Sequence, residues 1–176
     1  MRSPKTLLVL ATALAALLAA DATVETTCRA AADAVQLVDY DFCVSELNKH
    51  RDSPGADAWG LAKVAANLGV NNAGGAVRDV EALLAGPAGK DAKARAALGQ
   101  CHRLYFDMEL AFAGAYDDIN GRELAAGKRM AAEAVSLARR CGDVFAEAGL
   151  PSPLARRGQY AVDIAIVCTA ITDLIK

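Results

Sequence analysis

Apolar residues recur every three or four positions in four long stretches of this chain, the period of an amphipathic helix. Leu61, Val64, Leu68, Ala76, Val80 and Leu83 form the first stripe, interrupted near Asn71 to Gly75, where Gly74-Gly75 predicts a kink. Ala94, Leu98, Cys101, Tyr105, Met108 and Phe112 lie on one face of the second. Leu124, Ala131, Val135, Ala138, Cys141 and Phe145 mark the third, and Leu154, Ala161, Ile164, Cys168, Ile171 and Ile175 the fourth. Each stripe has a polar back, so the pattern predicts an all-α fold, an antiparallel up-down four-helix bundle that hides all four stripes around one axis.

The breaks have a mechanism. Gly86-Pro87-Ala88-Gly89 cannot continue a helix, because proline lacks the amide donor and glycine is entropically costly there. Asn120-Gly121 separates the second helix from the third, and Gly149 with Pro151-Ser152-Pro153 separates the third from the fourth. Ser152 followed by Pro153 reads as an N-cap and a proline at the first helical position. Upstream, Ser53-Pro54-Gly55 divides the bundle, residues 57–176, from residues 23–52, which are expected to form a helical hairpin ahead of it.

The first line of the sequence is of another kind. Arg2 and Lys5 precede an apolar run of fourteen residues, Leu7–Ala20. A membrane-spanning helix needs about 20 such residues, whereas a basic head, a short apolar middle and the small-x-small ending Ala20-Asp21-Ala22 predict a signal peptide over 1–22. Cleavage after Ala22 leaves one domain, 23–176, with no membrane attachment, in an oxidising compartment. Removing Arg2, Lys5 and Asp21 takes the net charge from −2 to −3, and no basic stripe of the kind a nucleic-acid partner requires is present. Aromatic residues are only 5%, and alanine, the best helix former, inflates the 54% hydrophobic fraction, which reinforces the helical reading.

An oxidising destination makes the five cysteines the main chemical question. Zinc sites use close pairs such as C-x2-C with a second pair downstream, and none of these cysteines is so spaced. His50 and His102 are isolated, and Cys101 and His102, being adjacent on a helix, do not face each other. Structural crosslinks are the remaining role. Cys28 with Cys43 would close the hairpin, and Cys101 with Cys141, each about twenty residues from Asn120-Gly121, would tie the second bundle helix to the third. Four cysteines nonetheless allow three connectivities, and counting alone does not choose among them. Cys168 lies on an apolar stripe and reads as a buried free thiol, with an intermolecular bridge as the alternative.

Other apparent motifs carry no chemistry. Gly86 to Asp91 lacks the glycine spacing and the Ser or Thr of a phosphate loop. Tyr116 to Gly121 has tyrosine at the first calcium-ligand position and Gly127 where the bidentate glutamate belongs. Asp117 and Asp118 are neighbours on one helix and cannot straddle a substrate as glycosidase carboxylates do. No serine elbow, zinc helix or N-x-[ST] site occurs. No catalytic residue, metal or cofactor is therefore expected, and the chain reads as a protein that acts by its surface.

Tyr40-Asp41-Phe42-Cys43-Val44-Ser45-Glu46-Leu47, then Ala97-Leu98 before Cys101 with Tyr105 after it, Cys141 with Phe145, Ser152-Pro153-Leu154, and Ala170-Ile171-Thr172-Asp173-Leu174-Ile175 together resemble the plant invertase and pectin methylesterase inhibitor family. The resemblance covers the whole mature chain and is strongest to the invertase-inhibitor subgroup that includes pollen allergens. It implies a four-helix bundle after a helical hairpin, and bonds Cys28–Cys43 and Cys101–Cys141 with Cys168 unpaired. It also implies secretion to the cell wall, apoplast or vacuole, and a stoichiometric complex with the target enzyme. Invertase is the expected target, pectin methylesterase the alternative, and a non-inhibitory binding or allergen-like structural protein a third reading. A monomer is expected, or a dimer if the N-terminal hairpin packs on a neighbour's bundle. Where invertase inhibitors of the family carry Pro-Lys-Phe, this chain has Arg122-Glu123-Leu124, which are the candidate target-binding residues.

Overall fold

The computed structural model describes residues 23–176, so the expected signal peptide, with Arg2, Lys5 and the Leu7–Ala20 run, lies outside the described residues. Six helices follow in chain order: α1 (Val24–Ala34), α2 (Tyr40–Leu47), α3 (Ala58–Ala85), α4 (Ala92–Asn120), α5 (Leu124–Glu147) and α6 (Ala155–Thr172). A short 3-10 turn, Pro87–Lys90, joins α3 to α4. Side-chain caps start four of them: Thr23, Asp39, Asp57 and Asp91 each accept a backbone N–H from three residues on, satisfying one of the orphan donors of the first turn.

The four long helices form a closed square, with α3 and α5 each packed between α4 and α6. Short connections alternate their direction. Trp59 therefore meets Ile119, at the far end of α4, and Cys168 lies against Ala62. Tyr105, Met108, Phe112, Leu61, Leu98, Val80, Ile119, Ile164, Val167 and Ile171 fill the axis and are fully buried. Leu68, Leu83, Ala94, Leu124, Val135 and Ile175, also placed on the stripes, are only half-buried at their edges.

Two local expectations fail. The interruption near Asn71 to Gly75 does not end the helix: α3 is helical without a break from Ala58 to Ala85. The two glycines let other helices approach closely: a Cβ on Gly74 would crowd the Glu109 carboxylate of α4, and one on Gly75 would lie 2.9 Å from the Arg157 guanidinium of α6. Arg157 uses that space to reach Asp79, 2.9 Å from its Nε, while the buried Asn72 amide donates to the Arg157 carbonyl at 3.0 Å. Nor does Ser152 cap the last helix. Its hydroxyl accepts from the Leu154 N–H, two residues on, in a local turn, and α6 begins only at Ala155.

Gly69 provides a test of this packing. A Cβ there would overlap the ring of Phe112, which is fully enclosed and has nowhere to move. Gly69→Ala is expected to cost about 1–3 kcal/mol by overpacking. In a thermal melt this lowers the midpoint by several degrees, and an unchanged midpoint contradicts the close contact of α3 with α4.

The hairpin docks on α6 through few residues. Phe42 meets Tyr160 edge-on at 5.4 Å, and the Tyr160 hydroxyl lies 3.0 Å from a Glu46 carboxylate oxygen. Ser53 closes the connection by donating to the Leu47 carbonyl at 2.6 Å.

Candidate functional site

Helix α4 carries more large apolar residues than its buried face can take. With Leu104, Tyr105, Met108, Ala111 and Phe112 turned inward, Phe106 and Leu110 fall on the opposite side, 51% and 55% exposed. Four residues apart, they stand one turn above the other and form a single apolar ridge. Beside the ridge runs a furrow between α4 and α5, of about 380 Å3, in which Gln100, Arg103 and Asp107 face Arg140, Asp143 and Glu147. An apolar ridge edged by charges of both signs has the composition of a protein interface, with an anchor that excludes water and a rim that sets orientation. No nucleophile paired with a base lies there. The arrangement has the features of a docking surface rather than of a catalytic centre.

The Cys101–Cys141 bond, with Cα atoms 5.0 Å apart, ties together α4 and α5, the two helices that wall this furrow. A second bond, Cys28–Cys43, joins α1 to α2 with Cα atoms 5.8 Å apart. Cys168 is free and wholly buried, and burial pushes its thiol up to about 12. The other displaced groups also lie away from the ridge. Burial, reinforced by the Glu46 charge, raises the Tyr160 phenol; burial raises Tyr105; a backbone hydrogen bond and Asn48 lower the Glu25 carboxyl. A thiolate is the reactive form of cysteine, so Cys168 is inert in the folded protein. A thiol reagent is therefore expected to titrate no cysteine in the native protein and one after denaturation without reductant. Two or more reactive thiols in denatured, unreduced protein would contradict the pairing.

The expected target-binding residues occupy a different corner, the α4–α5 turn. Arg122 sits in the left-handed region at φ 65°, exposed, with its guanidinium 4.4 Å from the centre of the Trp59 ring. Lys63 reaches the same ring at 3.4 Å, and the Trp59 indole donates to the Ile119 carbonyl at 2.8 Å. Glu123 is exposed, while Leu124 turns inward and packs against the core. The turn thus presents a cation and a carboxylate but no apolar anchor. The helical period does not select Phe106 and Leu110, because they lie off the buried stripe. Their spacing, in a chain with only four phenylalanines, was the available signal.

His102 turns away from Cys101 and lies 3.4 Å from a Glu81 carboxylate oxygen, and the His50 ring accepts from the Asp52 N–H. Among the described residues no group of three His, Cys, Asp or Glu side chains is placed to hold a metal ion, and no helix is long and apolar enough to cross a membrane.

A family model described as plant invertase/pectin methylesterase inhibitor matches residues 22–171. Pectinesterase inhibitor 8 of Oryza sativa subsp. japonica is 60% identical over 156 residues, which cover 88% of this chain and 84% of that protein. Pectinesterase inhibitor 12 of the same organism is 42% identical over 164 residues, covering 92% and 78%. A Platanus orientalis protein whose name refers to invertase inhibition is 28% identical over 153 residues, covering 86% and 89%.

Proposed function

The chain belongs to the plant invertase/pectin methylesterase inhibitor family, and on that premise we propose that it inhibits pectin methylesterase by laying the α4–α5 face over the enzyme's substrate cleft. Identity of 60% to a pectinesterase inhibitor, sustained over most of both chains, carries the choice of target. Invertase, which the sequence reading preferred, has weaker support, since the relative with that name is 28% identical and Arg122-Glu123-Leu124 replaces the Pro-Lys-Phe expected of invertase inhibitors. The two disulfide bonds agree with export to an oxidising space, where a cell-wall enzyme is met.

Inhibition needs no chemistry from this chain. A standard interface takes about 800 Å2 from each partner, and affinity rests on a few anchors rather than on area. Phe106 and Leu110 supply the anchors, and Arg103, Asp107, Arg140 and Asp143 supply the rim. The disulfide between α4 and α5 holds both walls before docking, which spares ordering costs. Leu110 stands about 15 Å along α4 from the Asn120 end, so one interface reaches Arg122 and Glu123 as peripheral contacts. Arg122→Ala is accordingly expected to weaken inhibition by about threefold, mainly through slower association. Unchanged inhibition removes that corner from the interface.

Size-exclusion chromatography of mixtures tests the reading. Oxidised protein is expected to co-elute with pectin methylesterase in equimolar amount and to elute apart from invertase. Co-elution with neither would point to the non-inhibitory alternative.

A further inference from the structure

We propose that the Trp59 end of the bundle binds carboxylated sugar oligomers, the de-esterified stretches that pectin methylesterase leaves behind. Lys63 and Arg122 both converge on the Trp59 ring, and among the described residues neither has a carboxylate partner. Beside them a cleft of about 310 Å3 opens between residues 50–52, α3 and α4. Arg51 and Lys63 line it together with His50, Asn67 and Tyr116. The only carboxylate in its lining is Asp52, which faces Arg51 at 3.6 Å and His50 at 3.8 Å. The Arg51 side chain is 92% exposed and shares the single Asp52 carboxylate with His50, while Lys63 has no carboxylate partner and hydrogen-bonds only the neutral Asn120 amide, so the cleft keeps an uncompensated cation to receive an anion.

The mixture selects the ligand. Two cations ask for a carboxylate, and a phenol, an amide and an imidazole beside them match the closely spaced hydroxyls of a sugar. A methyl ester removes the charge that the cations read, so the cleft distinguishes product polymer from substrate polymer. The naming of that polymer rests on pectin methylesterase being the target, whereas the cleft and its charge do not. Bound there, a de-esterified tract would hold the inhibitor where the enzyme has already acted.

Trp59 is the only tryptophan in the chain, so its emission reports on this end alone. The oxidised inhibitor, without enzyme, is titrated with a short de-esterified galacturonate oligomer and with its methyl-esterified counterpart, by fluorescence and by calorimetry. The expected result is a saturable change in Trp59 emission with the first oligomer, weakened by added salt, and none with the second. Lys63→Met keeps the aliphatic stem on the indole and should weaken binding about tenfold or more. Arg139→Gln, a distant surface cation on α5, should leave binding unchanged. Equal binding of both oligomers, equal loss with Arg139→Gln, heat without a Trp59 response, or no binding would each overturn the proposal. If the oligomer does not bind but Lys63→Met weakens enzyme inhibition tenfold, the anion that these cations meet belongs to the partner protein. Because no enzyme is present in the titration, failure here leaves the inhibitor reading to be judged by its own assay.

Discussion

Phe106→Asp combined with Leu110→Asp is expected to abolish useful inhibition of pectin methylesterase while leaving the bundle folded. Half-exposed anchors of this kind contribute about 1.4–2 kcal/mol each when truncated, and placing charge in the desolvated centre adds to that loss. An increase of about a hundredfold or more in the inhibition constant follows. Both side chains are already half in water, so their removal costs the fold little, and the thermal midpoint should shift by only a few degrees. The single variants Phe106→Ala and Leu110→Ala should each weaken inhibition by about 10- to 30-fold. If the double variant inhibits like the original, the α4–α5 face is not where the enzyme is met.

The second large effect is on stability. Replacing Cys101 and Cys141 together by alanine frees a 40-residue separation in the unfolded chain, worth about 4 kcal/mol in the chain-entropy model. For a domain of this size the midpoint is expected to fall by about 8–16 °C. Replacing Cys28 and Cys43 frees a separation of only 15 residues, about 3 kcal/mol, and the loss is confined to a hairpin that touches α6 through few residues. The first variant should therefore melt early as a whole, whereas the second should lose the hairpin before the bundle. Equal, single-step losses in both would mean that the hairpin folds as part of the bundle.

Much of the architecture was legible because burial in a bundle follows the helical period. Leu61, Val64, Val80, Leu98, Tyr105, Phe112, Ile164 and Ile171 could be placed inward from spacing alone, and all are buried. What spacing does not carry is the contact between distant segments. Gly74 and Gly75 read as a break in α3 because their own helix offers no reason for them, and only Glu109 and Arg157, far along the chain, supply it. Ser152 has the right neighbours for a cap, yet the hydrogen bond it makes with Leu154 takes the chain into a turn first.

The candidate site was less legible for a related reason. A helical stripe identifies the residues that leave water, and a docking surface consists of those that stay in it. Phe106 and Leu110 are defined by failing to fit the buried pattern, and Arg140 and Asp143, on the far wall of the neighbouring furrow, lie on another helix. Arg122 is a candidate only because the family resemblance points to that turn. Its left-handed backbone and its approach to Trp59, 63 positions earlier, have no sequence signature. Trp59 itself lies outside the residues singled out from the first stripe, although its indole ties the start of α3 to the end of α4.

The identity of the enzyme that this disulfide-locked surface covers is open to direct measurement. Residual activity of pectin methylesterase and of invertase, each titrated with the oxidised protein, decides it. Pectin methylesterase activity is predicted to fall linearly to a plateau reached at one inhibitor per enzyme, with invertase activity unchanged. Loss of invertase activity with pectin methylesterase untouched, or full activity of both enzymes at excess protein, would contradict it.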